Sequence, residues 1–231
     1  MHTPPSSYQG STPHPPLRPV RGVAVFAVVV LACDAFIAIV AAMIDLWYAA
    51  FIDRVISDIG SASESEKMTA DLVYALSGIL WVAVYLVSIA GFLVWLFRVR
   101  ANAESLAPDG HRHTRPWLIF GWVVPIISFW FPKQIVDDIW HASARDGEQA
   151  SPQVLIDVWW AAWVAGSLVA NVAARLLATA LFAGDDLESV AFAARFDLVG
   201  IALMLVAAVL AICVILKITK AQEHHRAAAS L

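Results

Sequence analysis

Four stretches of this chain are apolar for longer than a membrane is thick. They fall at about residues 23–48, 72–97, 154–182 and 196–216, with polar connections between them. A bilayer core is crossed by about 20 apolar residues in helical form. Helix is the required form, because an open strand would leave backbone groups unpaired in lipid. A fifth stretch, 116–131 (PWLIFGWVVPIISFWF), is apolar but short, and Pro125 interrupts it. Proline removes a helical hydrogen bond and clashes with the preceding turn, while broken backbone at membrane depth is tolerated where protein surrounds it. Pro132 then opens a new pattern. Ile135, Val136, Ile139, Trp140, Ala142 and Ser143 share one face of a helix, and Lys133, Gln134, Asp137, Asp138 and His141 the other. The pattern predicts an all-α integral membrane protein. It has four transmembrane helices, a Pro-broken re-entrant or interfacial segment at 116–131 and an amphipathic helix at 132–145. Five transmembrane helices are the alternative.

Charge chooses between the two. Lysine and arginine gather on the side of a membrane that is not translocated. With four spans, Arg18, Arg21, the arginines at 98, 100, 112 and 115, Lys133, Arg145, Lys217, Lys220 and Arg226 all share one side. Only Arg54, Lys67 and Arg195 face the other. With five spans the basic residues divide evenly. The four-span reading places both termini in the cytoplasm of a bacterial cell membrane. Residues 1–19 are rich in Pro and Ser and read as a disordered cytoplasmic tail. Residues 20–217 form one helical membrane domain, and 218–231 a second cytoplasmic tail. The chain has 231 residues, is 60% hydrophobic and only 15% charged, with mean hydropathy +0.72. A net charge of −4 argues against nucleic acid, which needs a clustered basic surface. Cys33 and Cys213 lie in apolar runs and read as small buried residues.

Around the broken segment the chain resembles the bacterial membrane family catalogued as domain of unknown function 4328. The resemblance rests on Gly121-Trp122, Pro125-Ile126, Trp130, Pro132, Gln134, Val136, Ile139-Trp140 and Ala142-Ser143. Trp95 to Arg98, Asn102-Ala103, Trp159-Trp160 and Trp163 flank it. It covers about residues 72–216. Where the family pattern has Asn, this chain has Ser128, a shorter side chain with less reach to backbone freed by the proline. The resemblance implies an integral membrane protein and supplies no activity.

Ionisable residues inside spans are the strongest pointers to function, since each costs about 2.5–3.5 kcal/mol at mid-membrane. Asp34, Ala38, Ala41 and Asp45 make one small, acidic face of the first helix, and Ser167, Asn171, Arg175 and Thr179 make a polar ladder on the third span. By depth, Arg175 matches Asp45, and Asp34 lies nearer Asn171. The plainer reading is an ion pair and hydrogen bonds that fix helix register. The functional reading is a proton- or ion-handling site at Asp34. Asp157 and Asp197, near span ends, read as solvated. His111 and His113, like the His224-His225 pair, are too few for a metal site, which takes three or four ligands. Neither a phosphate-cradling glycine loop nor a nucleophile motif is present. The expectation is therefore no metal, no cofactor and no catalysis. The leading reading is an interaction or scaffold protein. Its partners are the lipid bilayer and a protein docked at the cytoplasmic face or the Pro-rich tail, which carries Pro16-Leu17-Arg18-Pro19. The alternative is a small transporter or channel component with Asp34 as its coupling group.

Overall fold

The computed structural model describes residues 16–58, 60–144, 150–183 and 187–229. Every regular element among them is helical. The order is α1 (Arg21–Ser57), α2 (Glu64–Leu106), α3 (Trp117–Val123), a 3-10 turn (Ile127–Phe129), α4 (Phe131–Ser143), α5 (Ala150–Ala183) and α6 (Leu187–Ala228). Among the described residues, four helices (α1, α2, α5 and α6) are long and apolar enough to cross a membrane. Each contains one of the four apolar stretches and extends beyond it. Their outer faces leave apolar side chains uncovered: Phe36 is 64% exposed and Ile79 66%. That surface suits hydrocarbon rather than water. Cys33 and Cys213 belong to it. They are exposed and unbonded, not buried as their apolar surroundings suggested.

The long helices form an arc. α1 packs against α2 and α6, and α6 against α5. Small residues bring α5 and α6 close: a Cβ on Gly200 would stand 3.3 Å from the backbone nitrogen of Ala170. α2 and α5, at the two ends of the arc, do not pack on each other as these neighbours do. α3, the 3-10 turn and α4 plug the gap between them at one end. α4 touches α2, α5 and α6 as well as α3.

The start of α1 and the last turns of α6 lie at that plugged end. The backbone N–H of Val20 donates to Glu223 Oε1 at 2.8 Å, and that of Arg21 to the same oxygen at 3.1 Å. A carboxylate from the last helix thus satisfies the free amides at the start of the first. Residues 16–19, assigned by composition to the disordered tail, have no regular secondary structure, and Arg18 and Pro19 are held by α2. Arg18 N donates to Asn102 Oδ1 at 2.9 Å, Asn102 Nδ2 to Arg18 O at 2.8 Å, and Arg98 to Pro19 O at 3.1 Å. Two side chains eighty residues away supply partners that composition does not reveal. Residues 1–15 lie outside the described residues.

The main core sits at this closed end and includes Trp95, Leu96, Val99, Ile135, Ile139 and Ile215. At the opposite, open end the buried cluster shrinks to Ile52, Ala180 and Val190. There a capping box starts α2, with Ser63 and Glu66 exchanging backbone-to-side-chain hydrogen bonds. Tyr48 stacks on Tyr74 with centroids 4.4 Å apart, and its hydroxyl donates to Asp71 at 2.8 Å.

Candidate functional site

The segment 116–131 is a hairpin whose ends meet. Trp117 packs edge-on against Phe131 at 5.0 Å, and His113 stacks on Phe131 at 3.9 Å. Gly121 permits this approach, because a Cβ there would stand 3.3 Å from that of Phe131. At the tip, Ile127 N donates to Pro125 O at 2.8 Å, and Ile126 between them has φ 70° and ψ −58°. This is a γ-turn of the positive-φ kind, strained for any residue with a Cβ and more so for a β-branched one. Ser128 N donates to Val124 O at 3.0 Å and closes the turn across the proline. The backbone of Ser128, rather than its hydroxyl, performs that bridging. Trp130 begins the next turn, its carbonyl accepting from Gln134 N at 3.0 Å. Pro132 follows in the first turn of α4, where a missing N–H costs nothing.

α4 begins at Phe131 and ends at Ser143, two residues short of the predicted boundary. Its apolar face is fully used: Ile139 is buried and Trp140 is 3% exposed. Its polar face is covered in part, with His141 left exposed. Asp137 and Asp138 are buried. Lys133 bridges Asp137 and Asp157, at 2.8 Å to each. Burial works against its charge, but the two carboxylates outweigh it and hold the ammonium above its ordinary range. Asp157, read as solvated, is half exposed and also paired. Arg112 lies 2.8 Å from Asp138 Oδ1 and donates its backbone N–H to Asp138 Oδ2 at 2.9 Å. Arg115 pairs with Glu104, and buried Arg100 bonds Glu104 and the carbonyl of His113. Gln134 Oε1 meets His113 Nε2 at 2.7 Å. Each arginine of the 98–115 connection thus has a partner. The charge count saw their sign but could not see where they point.

One buried residue that sequence reasoning passed over is Gln222 on α6, 1% exposed. Its amide nitrogen donates to Val99 O and Ser143 Oγ, both at 2.9 Å, and its oxygen accepts from Asn102 at 3.1 Å. It joins α2, α4 and α6. Trp95 Nε1 donates to Thr219 Oγ1 at 3.1 Å just below.

Above this knot, between α2 and α5, lies a cavity of about 280 Å³ to which every helix except α4 contributes. Asp34 of α1 lines it, and its Oδ1 is buried without a hydrogen-bond partner among the described residues. Trp122 of the hairpin also lines it, and its Nε1 is likewise buried and unpartnered. Trp122 sits edge-to-face with Trp160 at 5.9 Å and Trp163 at 5.5 Å. Trp160 in turn donates to Phe129 O at 2.8 Å, which pins the hairpin to α5. A second, wider cleft of about 710 Å³ continues toward the open end. Asp45, Asp197, Tyr74 and Asn171 line it, and Trp81 lines both spaces.

The polar cluster expected from sequence is thus partly assembled. Asp45, 8% exposed, and Asn171 meet at one cleft, but the charged residue opposite them is Asp197, not Arg175. Arg175 is exposed on the outer side of α5 and pairs with no carboxylate among the described residues. Arg175 shares a helix face with Asn171, one turn away, but at its level the cleft is lined by Ala174 and Leu177 and not by Arg175. The ladder's polar groups are spent on their own helix. Asn171 donates to Ser167 O at 2.9 Å, and Thr179 to Arg175 O at 2.9 Å. Asp34 stands apart from all of them, in the inner cavity.

A family model described as "Domain of unknown function (DUF4328)" matches residues 60–220. The chain belongs to the DUF4328 family. The match takes in α2 through most of α6, and with them the hairpin, α4 and the tryptophans of α5. The carboxylates of α1 precede the part of this DUF4328 member that the family model matches. No curated protein and no solved structure matches the chain.

Proposed function

We propose that this protein is a small transporter or channel component of a cell membrane, entered from the open end, with Asp34 as the group that handles a proton or ion. The observation that carries this reading is the carboxylate oxygen of Asp34, buried without a partner beside a cavity that adjoins a wider cleft. A carboxylate within a span is costly, and a buried one without a hydrogen bond is a pointer to an ion or proton pathway. In this reading the hairpin is a re-entrant plug on the cytoplasmic side. Broken segments next to a binding site are a recurring device of transporters. Both termini are then cytoplasmic, as the distribution of arginine and lysine favours. Against the interaction reading, α4 leaves little surface free for a partner, since Asp137, Asp138, Ile139 and Trp140 are buried.

The test is flux in proteoliposomes enclosing a pH-sensitive dye, with a membrane potential imposed. We expect proton or monovalent-cation movement above that of empty vesicles, and its loss in Asp34→Asn. Flux equal to empty vesicles under every gradient, or unchanged by Asp34→Asn, overturns the proposal.

A further inference from the structure

We infer that the inner cavity recognises an organic monocation, a protonated or quaternary amine carrying a small apolar body. The inference deepens the transporter reading and rests on it.

Charge gives the first argument. Asp34 lines the inner cavity and Asp45 and Asp197 the outer cleft, while no lysine, arginine or histidine lines either among the described residues. An anion would meet only carboxylates. A neutral ligand without an O–H or N–H donor would leave Asp34 Oδ1 as it stands, buried and unpaired. A cation satisfies it, and the acidic outer cleft raises the local concentration of cations on the approach.

The walls give the second argument. A hard inorganic cation needs a shell of oxygen ligands, six or more for calcium. Besides Asp34 the inner cavity offers Tyr85 and Ser88, and the Ser88 hydroxyl already donates to Val30 O at 2.9 Å. The remaining lining is aromatic and aliphatic, with Trp81, Trp122, Trp159 and Trp163 from three different elements. Indole faces attract amine and quaternary ammonium groups through the ring quadrupole, and they do so most strongly where water is excluded. The same walls bury the apolar body of the ligand. Size gives the third argument. A volume of about 280 Å³ lies at the small end of ligand pockets, which fits a ligand of one ring rather than a lipid chain pair.

The test uses the full-length protein in nanodiscs of uncharged phosphatidylcholine. Benzyltrimethylammonium is titrated, with neopentylbenzene as its neutral isostere, and binding is followed by calorimetry and tryptophan fluorescence. We expect the cation to bind at least tenfold more tightly than the isostere. We expect Asp34→Asn to abolish that preference and Trp122→Phe to weaken the cation severalfold while sparing the isostere. Equal binding of cation and isostere, no binding of the cation, or full cation affinity in Asp34→Asn overturns the inference. Should Asp34→Asn not fold, Trp122→Phe decides, and unchanged cation affinity there overturns it. The two readings fail separately. Flux that depends on Asp34 without cation binding removes only the ligand class. Binding that depends on Asp34 without flux removes only transport.

Discussion

The two ends of the bundle are built on opposite principles. At the closed end every arginine of the 98–115 connection has a partner, a carboxylate of α6 caps α1, and Gln222 joins α2, α4 and α6. At the open end the helices share a small cluster around Ile52, and the polar groups are exposed pairs such as Arg195 with Asp53. Buried polar groups bonded to one another stiffen an end, because breaking one leaves its partners unpaired, although Arg100 Nη1 and Trp140 Nε1 there have no partner among the described residues. Exposed pairs contribute little. The molecule is a cup: the hairpin and α4 form the base, and the two clefts form the bowl.

The widest gap between the ends should appear on breaking the knot. Gln222→Leu leaves Ser143 Oγ, Val99 O and Asn102 Nδ2 each short of a partner. We expect a loss of about 2–4 kcal/mol, measured as a fall in thermal midpoint in detergent. A fall no larger than that of an exposed substitution would remove the contrast. Arg112→Gln comes next. It strips buried Asp138 of its guanidinium but leaves the backbone N–H, so we expect about 1–3 kcal/mol. Faster amide exchange at 107–116 should accompany it, with no change at the open end.

How far these ends were legible in sequence follows from the kind of information each needs. The four long helices, the broken segment and the helix after Pro132 are properties of local pattern, and they were readable. The charge count expects the two ends of the hairpin on one side, because the basic residues before and after it are then together, and in the structure Trp117 and Phe131 at its two ends meet. What pairs with what was not readable. Arg112 with Asp138 and Gln222 with Asn102 depend on how separate elements rotate about their axes, which periodicity leaves free. Arg175 shows this most clearly. Depth along the helix paired it with Asp45, yet its side chain is exposed outside the cleft, and within the cleft Asp197, discounted for lying near a span end, faces Asp45 instead. The γ-turn at Ile126 was hidden for another reason, since no local preference would place an isoleucine at positive φ.

That turn supplies the third expectation. Backbone in a sparsely populated region costs about 1–3 kcal/mol. Ile126 is 67% exposed, so its side chain adds little packing to offset the cost. Glycine accepts the conformation freely but loses more entropy on folding, about 0.5–1 kcal/mol. Ile126→Gly should therefore raise stability by about 1 kcal/mol at most. A clear destabilisation would mean that the isoleucine is held by contacts with its surroundings. At the open end, Arg195→Gln should change stability by under about 1 kcal/mol, and a larger loss would show that this end is tighter than its exposure implies.

The smallest effect is a slope rather than a step, and it belongs to the closed end alone. His111 is half-buried beside Ala103 of α2. Burial, and then the nearby charge of Arg100, hold its pKa below the ordinary 6.5. The folded chain therefore binds fewer protons at this site than the unfolded chain does just below that value. Stability rises with pH wherever the unfolded state holds the extra proton. It must then fall as pH drops through 6.5, and level off once the folded imidazole also becomes protonated. His111→Gln removes the titrating group. Its thermal midpoint should track the parent's in alkaline buffer and decline less in acid. If the two profiles run parallel throughout, acid sensitivity of this end resides in the carboxylates that hold Arg112 and Arg115, and the imidazole is a bystander.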